Sequence, residues 1–251
     1  MNALRLLVDS PADGAWNMAV DEALLESAAE GVGTLRFYEW TPATLSLGYF
    51  QSAAQREQHA ASRDCPLVRR ASGGGAILHD RELTYSVALP QAAARESQAR
   101  ALYDMFHESL ILALAEFGVP AALFRPTEGS CVPEGRQNAA PAFLCFQRRT
   151  CGDVVNQGAK IAGSAQRRRR GAVLQHGSIL LARSPHAPEL LGIGELTGIA
   201  ISPGDLIAAW GPRLQACLGV AAPAELSGRE RLRADALVRD PFGAPSFTHL
   251  R

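Results

Sequence analysis

One ammonium remains in a chain that otherwise carries guanidinium at every basic position. Of the 25 basic residues 24 are arginine, and the exception is Lys160. Arginine cannot replace lysine where a compact, tunable amine is needed, because guanidinium is planar and stays protonated. Lys160 is therefore the first candidate for chemistry. Strand alternation over 160–166 puts Lys160, Ala162, Ser164 and Gln166 on one face and Ile161, Gly163 and Ala165 on the other. Apart from Lys160 and Gln166 the first face is small, which leaves room for a ligand beside the amine.

Three more segments could take part. Arg69-Arg70-Ala71-Ser72-Gly73-Gly74-Gly75 leads into Ala76-Ile77-Leu78-His79-Asp80. Three successive glycines let a ligand reach main-chain N–H groups, and Arg70, Ser72 and His79 add polar side chains beside them. The result suits a carbonyl, carboxylate or phosphate oxygen, although it matches neither a dinucleotide fingerprint nor a P-loop. Cys145-Phe146 closes a long segment shortly before Lys160. An ammonium near a thiol favours the thiolate, which is the nucleophilic form. Cys151 is the rival, whereas Cys65, Cys131 and Cys217 read as ordinary small apolar residues. His176, in Gln175-His176-Gly177-Ser178, is either an acid–base group or a satisfied structural histidine. Arg167–Arg170 reads as a solvated turn that could also dock an acidic protein.

The whole chain limits what these groups can belong to. Its 251 residues are 47% hydrophobic, with 25 acidic residues matching the 25 basic ones. This suits one large domain and argues against a disordered chain or a general nucleic-acid binder. No apolar run reaches the roughly 20 residues of a membrane helix, and the first residues lack the apolar segment of a signal peptide. Five cysteines without a CxxC spacing point to reduced thiols and a cytoplasmic setting. No metal-ligand pattern stands out. The elements that must position the candidates are strands at 4–8, 34–40, 44–50, 66–70, 76–78, 83–89, 121–125, 153–156, 160–166 and 172–181. Helices are expected from Asp13 or Gly14 to Gly31, at 51–62, 95–117, 187–192 and 204–218, and near 225–238, with a long loop at 126–143. This order lacks strict βαβ alternation, so the expected class is α+β: a mixed, largely antiparallel sheet with flanking helices.

Four segments, in this order, carry a resemblance. They are 14–23, 35–51 (with Ser46-Leu47-Gly48-Tyr49-Phe50-Gln51), 69–80, and 158–166 together with 175–179. The chain resembles the lipoate–protein ligase and octanoyltransferase family, related to the biotin protein ligase catalytic domain, over about residues 1–215. The resemblance implies a catalytic domain over 1–220, followed by a C-terminal helix and tail at 221–251. It implies a tunnel for a lipoyl or octanoyl chain, with Gly73, Gly74 and Gly75 near the acyl carbonyl and the family lysine at Lys160. Arg70, Ser72, His79, Gly163, Ser164 and His176 join the expected substrate-binding set. Cys145-Phe146 matches the Cys-Phe of an octanoyltransferase branch that works through an acyl-cysteine.

The expected activity is transfer of octanoate from octanoyl-acyl carrier protein to the target lysine of lipoyl domains, in dehydrogenase E2 subunits or the glycine-cleavage carrier protein. Cys145 and Lys160 are the expected catalytic pair, in a monomer that needs no cofactor, nucleic acid or membrane. The alternatives are an ATP- and Mg²⁺-dependent lipoate–protein ligase, an amidotransferase between lipoyl domains, and a non-catalytic acyl or carrier-binding protein. The short stretch after the domain, ending at Arg251, favours the transferase over ligases with an accessory domain.

Overall fold

Period-two patterning sorts the strand residues onto two faces, and each face finds its own helices. The structure, a computed structural model, describes residues 4–90, 96–126, 142–219 and 221–250. Its strands are β1 (Leu4–Val8), β2 (Thr34–Tyr38), β3 (Thr44–Leu47), β4 (Leu67–Arg69), β5 (Ile77–His79), β6 (Glu82–Pro90), β7 (Ala122–Leu123), β8 (Val154–Asn156), β9 (Ala159–Arg169), β10 (Ala172–Leu180) and β11 (Ala221–Pro223). The helices are α1 (Gly14–Ala29), α2 (Glu96–Glu116), α3 (Ile193–Thr197), α4 (Pro203–Leu218), α5 (Gly228–Leu237) and α6 (Pro245–Thr248). The large sheet runs β11-β1-β2-β6-β10-β9-β8-β7, and a small sheet runs β4-β3-β5. In the large sheet only β1–β2 and β1–β11 pair in parallel. The expected class, α+β with a mixed, largely antiparallel sheet and flanking helices, holds.

On one face Leu35, Phe37, Leu83, Tyr85, Val87 and Ile179 pack against Phe106 and Leu110 of α2 and Trp210 of α4. On the other face lies α1, which α5 covers in turn. There the alternate residues Arg36, Thr84, Ser86, His176 and Ser178 make a polar patch. Buried polar groups must be paired, and α1 supplies the partners: Asp21 accepts from Arg36 at 2.9 Å, from Tyr38 at 2.9 Å and from Ser86 at 2.8 Å. Burial pushes the Asp21 carboxyl up, and the His176 ring, Arg36 and Ser86 together bring it below the ordinary carboxylate value.

Several expected elements differ in the structure. The helix expected at 51–62 is two 3₁₀ turns, Ala53–Gln58 and Ala60–Ser62, broken at His59, whose ring bonds Ser62 and Glu189. The helix expected at 187–192 starts later, at Ile193, because the Glu195 carboxylate accepts from the backbone N–H groups of Arg183 and Gly192. The arginines expected to form a turn continue as strand to Arg169, opposite Ala172. Only Arg170 and Gly171 turn the chain, with φ of 47° and 80°, the positive values a tight hairpin requires. Arg167 and Arg169 pair with Glu22 of α1 instead of standing in solvent. Most of the long loop expected at 126–143, with Cys131, lies outside the described residues.

The stretch after residue 220 joins the rest of the molecule at three places. Strand β11 pairs with β1, α5 carries Glu230 onto Arg5 at 2.6 Å, and the backbone of α6 takes the Arg69 guanidinium through Thr248 at 2.7 Å. Among the described residues no helix is long and apolar enough to cross a membrane.

Candidate active site

The glycine segment is held from beneath by a buried arginine. Arg70 donates to the carbonyls of Gly73 and Gly75 at 3.3 and 2.8 Å, and to Ser46 O and Oγ at 2.8 and 2.6 Å. Burial without a carboxylate partner brings its guanidinium down to about 10. With both terminal nitrogens engaged, Arg70 shapes the loop, and its carbonyls are turned inward. None of the described residues accepts from the N–H groups of Gly73, Gly74 or Gly75. The sequence expectation of a cradle for an oxygen rests on these same amides. Gly74 has φ of 101°, in the left-handed region open to glycine.

Beside this loop opens a pocket lined by Gly73, Gly74, Ile77, Cys145, Phe146 and Lys160, with Met18, Tyr38 and Trp40 adding apolar wall. Arg70, His79, Gly163, Ser164 and His176 also line it. Two expected residues flank it: Gly75, beside the Cys145 backbone, and Ser72, bonded to His176 Nε2 at 2.6 Å. His79 is stacked on Trp40 with ring centroids 3.8 Å apart and sits between Ser46 and Glu82. Its burial holds the imidazole below the usual histidine value.

Cys145 begins a 3₁₀ turn whose entry is fixed by its N–H donating to Ala76 O at 2.7 Å. The Lys160 ammonium lies 3.9 Å from the Cys145 sulfur and 5.3 Å from the Phe146 ring centre. It is anchored by Asp153 Oδ2 at 2.8 Å, and both side chains are almost wholly buried. Asp153 also accepts from Thr150 N at 2.7 Å, Thr150 Oγ1 at 3.0 Å and Tyr103 at 2.9 Å. Cys151, the rival thiol, sits 3.7 Å from Arg100 Nη2 and is absent from the pocket wall.

The lysine reaches this place through a β-bulge. Lys160 pairs with Val155 and Ala162 with Val154, so β9 holds one residue more than β8 across that step. The extra residue reverses the expected faces. The Lys160 side chain lies on the face of Gly163 and Ala165, and not on one face with Ser164 and Gln166 as strict alternation requires; the side chains of those two turn to His107 and Gln175. Its stem lies across Gly163, where a Cβ would overlap Lys160 Cε and stand 2.6 Å from Nζ. Sequence reading missed Asp153 altogether. The signal was its place at the start of the hairpin, where an acidic residue falls opposite the strand carrying the only lysine.

A thiol and an anchored ammonium stand at one end of an apolar pocket beside the glycine amides, an arrangement that suits an enzyme handling acyl groups. The chain belongs to the lipoyl protein ligase A/B catalytic domain family, whose pattern matches residues 13–187. It is 43% identical over 194 residues to octanoyltransferase LipM of Kyrpidia tusciae, covering 74% of this chain and 69% of that one. It is 39% identical over 186 residues to octanoyltransferase LipM of Brevibacillus brevis, covering 72% and 67%. The fold matches a bi-partite lipoate protein ligase of Thermoplasma acidophilum at 20% identity with a TM-score of 0.76, covering 99% of this chain and 97% of that one. Lipoate-protein ligase A bound with ATP superposes with a TM-score of 0.75 at 21% identity, covering 98% of each chain.

Proposed function

We propose that this protein is an octanoyltransferase that moves an octanoyl group from a carrier-bound thioester to the target lysine of lipoyl domains through an acyl-cysteine at Cys145. The observation that carries this reading is the Lys160 ammonium 3.9 Å from the Cys145 sulfur, at the glycine end of the pocket. The Cys145 thiolate attacks the octanoyl carbonyl, and the amides of Gly73 and Gly74 receive the developing oxyanion. As the tetrahedral centre collapses, the bond to the donor thiol breaks. The departing sulfur takes a proton from Lys160, while Asp153 keeps the resulting amine in place. The acceptor lysine then attacks the acyl-cysteine as a neutral amine. Its nitrogen–carbon bond forms, the bond to Cys145 breaks, and the amine's proton returns to Lys160. Lysine suits this shuttle because it gives up and regains a proton far more readily than arginine.

The donor thioester supplies the free energy, so the reaction as written needs neither ATP nor metal. The donor of choice is octanoyl-acyl carrier protein, and the reaction is complete within a monomer. Ping-pong kinetics follow from the covalent intermediate. Intact mass after mixing with octanoyl-acyl carrier protein tests the reading. One added octanoyl group, mapped to Cys145 and discharged by a lipoyl domain, supports it. Transfer that requires ATP and leaves no acyl group on the enzyme overturns it.

A further inference from the structure

On the far side of the sheet from α1, helix α2 carries Tyr103 and His107 one turn apart, with ring centres 4.2 Å from each other. The transfer just described uses neither. His107 is fully buried, with Nδ1 2.6 Å from the carbonyl oxygen of Gly152 and Nε2 2.7 Å from Ser164 Oγ. A carbonyl only accepts, so Nδ1 carries the hydrogen. Burial disfavours the charged ring by more than the Gly152 carbonyl and Asp153 favour it. Nε2 of the neutral ring therefore accepts from Ser164.

That choice sets the direction of a whole chain. Ser164 Oγ, having donated to His107, accepts from the Tyr85 hydroxyl at 2.6 Å. The Tyr85 oxygen accepts from Gln175 Nε2 at 2.9 Å, and Gln175 Oε1 accepts from Gln166 Nε2 at 2.7 Å. One neutral tautomer satisfies every link. A second proton on His107 makes Nε2 a donor, so the Ser164 oxygen accepts from both His107 and Tyr85 and its own O–H loses the acceptor it had.

Both ends of His107 adjoin the Lys160 anchorage. Gly152 precedes Asp153, whose carboxylate holds Lys160 Nζ at 2.8 Å and accepts from Tyr103 at 2.9 Å. Ser164 follows Gly163, across which the lysine stem lies. We propose that Tyr103 and His107 are positioning residues for Lys160, clamping the Gly152-Asp153 peptide and Ser164 so that the ammonium stays aimed at Cys145. The proposal rests on the acyl-cysteine reading above. The titratable groups facing His107 are Tyr103 and Asp104 of α2, Asp153 before β8, Lys160 of β9 and, through Ser164, Tyr85 of β6. Acid loosens the clamp, because a charged ring both takes away the acceptor of the Ser164 hydroxyl and adds a second cation beside Lys160.

The test follows acyl-enzyme formation from octanoyl-pantetheine by mass spectrometry in single turnover between pH 5 and 9. In parallel, ¹⁵N-histidine NMR reads the His107 tautomer without any acyl chemistry. The expected wild-type results are the neutral Nδ1–H tautomer at pH 7 and an acid-side fall in rate that tracks the ring's titration. His107→Asn places an amide N–H where Nδ1 stands. It is expected to keep the rate within about threefold at pH 8 and to lose the component of the acid-side fall that tracks the ring, leaving only the fall that protonation of the nucleophile imposes on both proteins. His107→Leu is expected to be slower by about tenfold or more at every pH, with Tyr103→Phe and Ser164→Ala in between. A folded His107→Leu with the wild-type rate and pH profile overturns the clamp, as does an Nε2–H tautomer. Absence of an acyl-cysteine in the wild type overturns the transfer reading instead, and the tautomer then decides the clamp by itself.

Discussion

Cys145 and Cys151 stand six residues apart, and each has a cation at nearly the same distance from its sulfur: Lys160 at 3.9 Å and Arg100 at 3.7 Å. Around Cys145 the cation is a buried ammonium, held by a buried carboxylate, at the mouth of a pocket. Around Cys151 it is a guanidinium whose side chain is 53% exposed, held by the partly exposed Asp104. On the proposed transfer, the comparison teaches that a nearby positive charge alone does not single out the nucleophile. The productive pair needs a cation that can hand over its proton, protection from solvent screening, and room for the acyl chain.

The strongest way to break this contrast is to remove each sulfur. Cys145→Ser is expected to lose at least about 10³-fold in turnover and to trap no acyl group, because serine without a base is a poor nucleophile. Cys151→Ser is expected to transfer at the wild-type rate. The opposite outcome in the mass assay assigns the same chemistry to the other thiol. Next in size, Lys160→Arg gives Cys145 the kind of cation Cys151 already has. Transfer is expected to fall by roughly 10²–10⁴-fold with the fold intact, checked by single-turnover kinetics and circular dichroism. Turnover near wild type would show that charge alone suffices.

Asp153→Asn unpairs the buried ammonium, at a cost to stability of about 3–5 kcal/mol, and urea denaturation reads the change. No such loss would mean that the lysine needs no anchor. The smallest effect is expected at the other thiol. Arg100→Ala breaks an exposed pair worth under about 1 kcal/mol, and neither the urea midpoint nor the transfer rate should change appreciably.

The alternating faces of β2, β6 and β10 were legible in the sequence, because each strand's pattern of apolar and polar residues is local. So was α1, with the Asp13 side chain accepting from Trp16 N at 2.9 Å. The glycine segment and the lone lysine were legible by residue type. What was not legible depends on register and on distant pairing. The Lys160–Ala162 bulge leaves no mark on composition, and it reversed the expected face of the key residue. Asp153 is a plain acidic residue until the hairpin closes it onto Lys160. The partnership of Arg5 with Glu230 joins residues 225 positions apart, which no local pattern encodes.

The bulge in β9 also sets how this site tolerates insertions and deletions. Removing one residue between Lys160 and Ala162 would leave the hairpin's length, polarity and hydrogen-bonding capacity almost unchanged. The lysine would nevertheless turn to the α2 side of the sheet, away from the pocket. The deleted residue is Ile161, fully buried in the core beneath α2, so the altered protein would lose core packing together with the placement of its ammonium. On the proposed mechanism, transfer would be lost to a frame-preserving deletion that touches neither Cys145 nor Lys160.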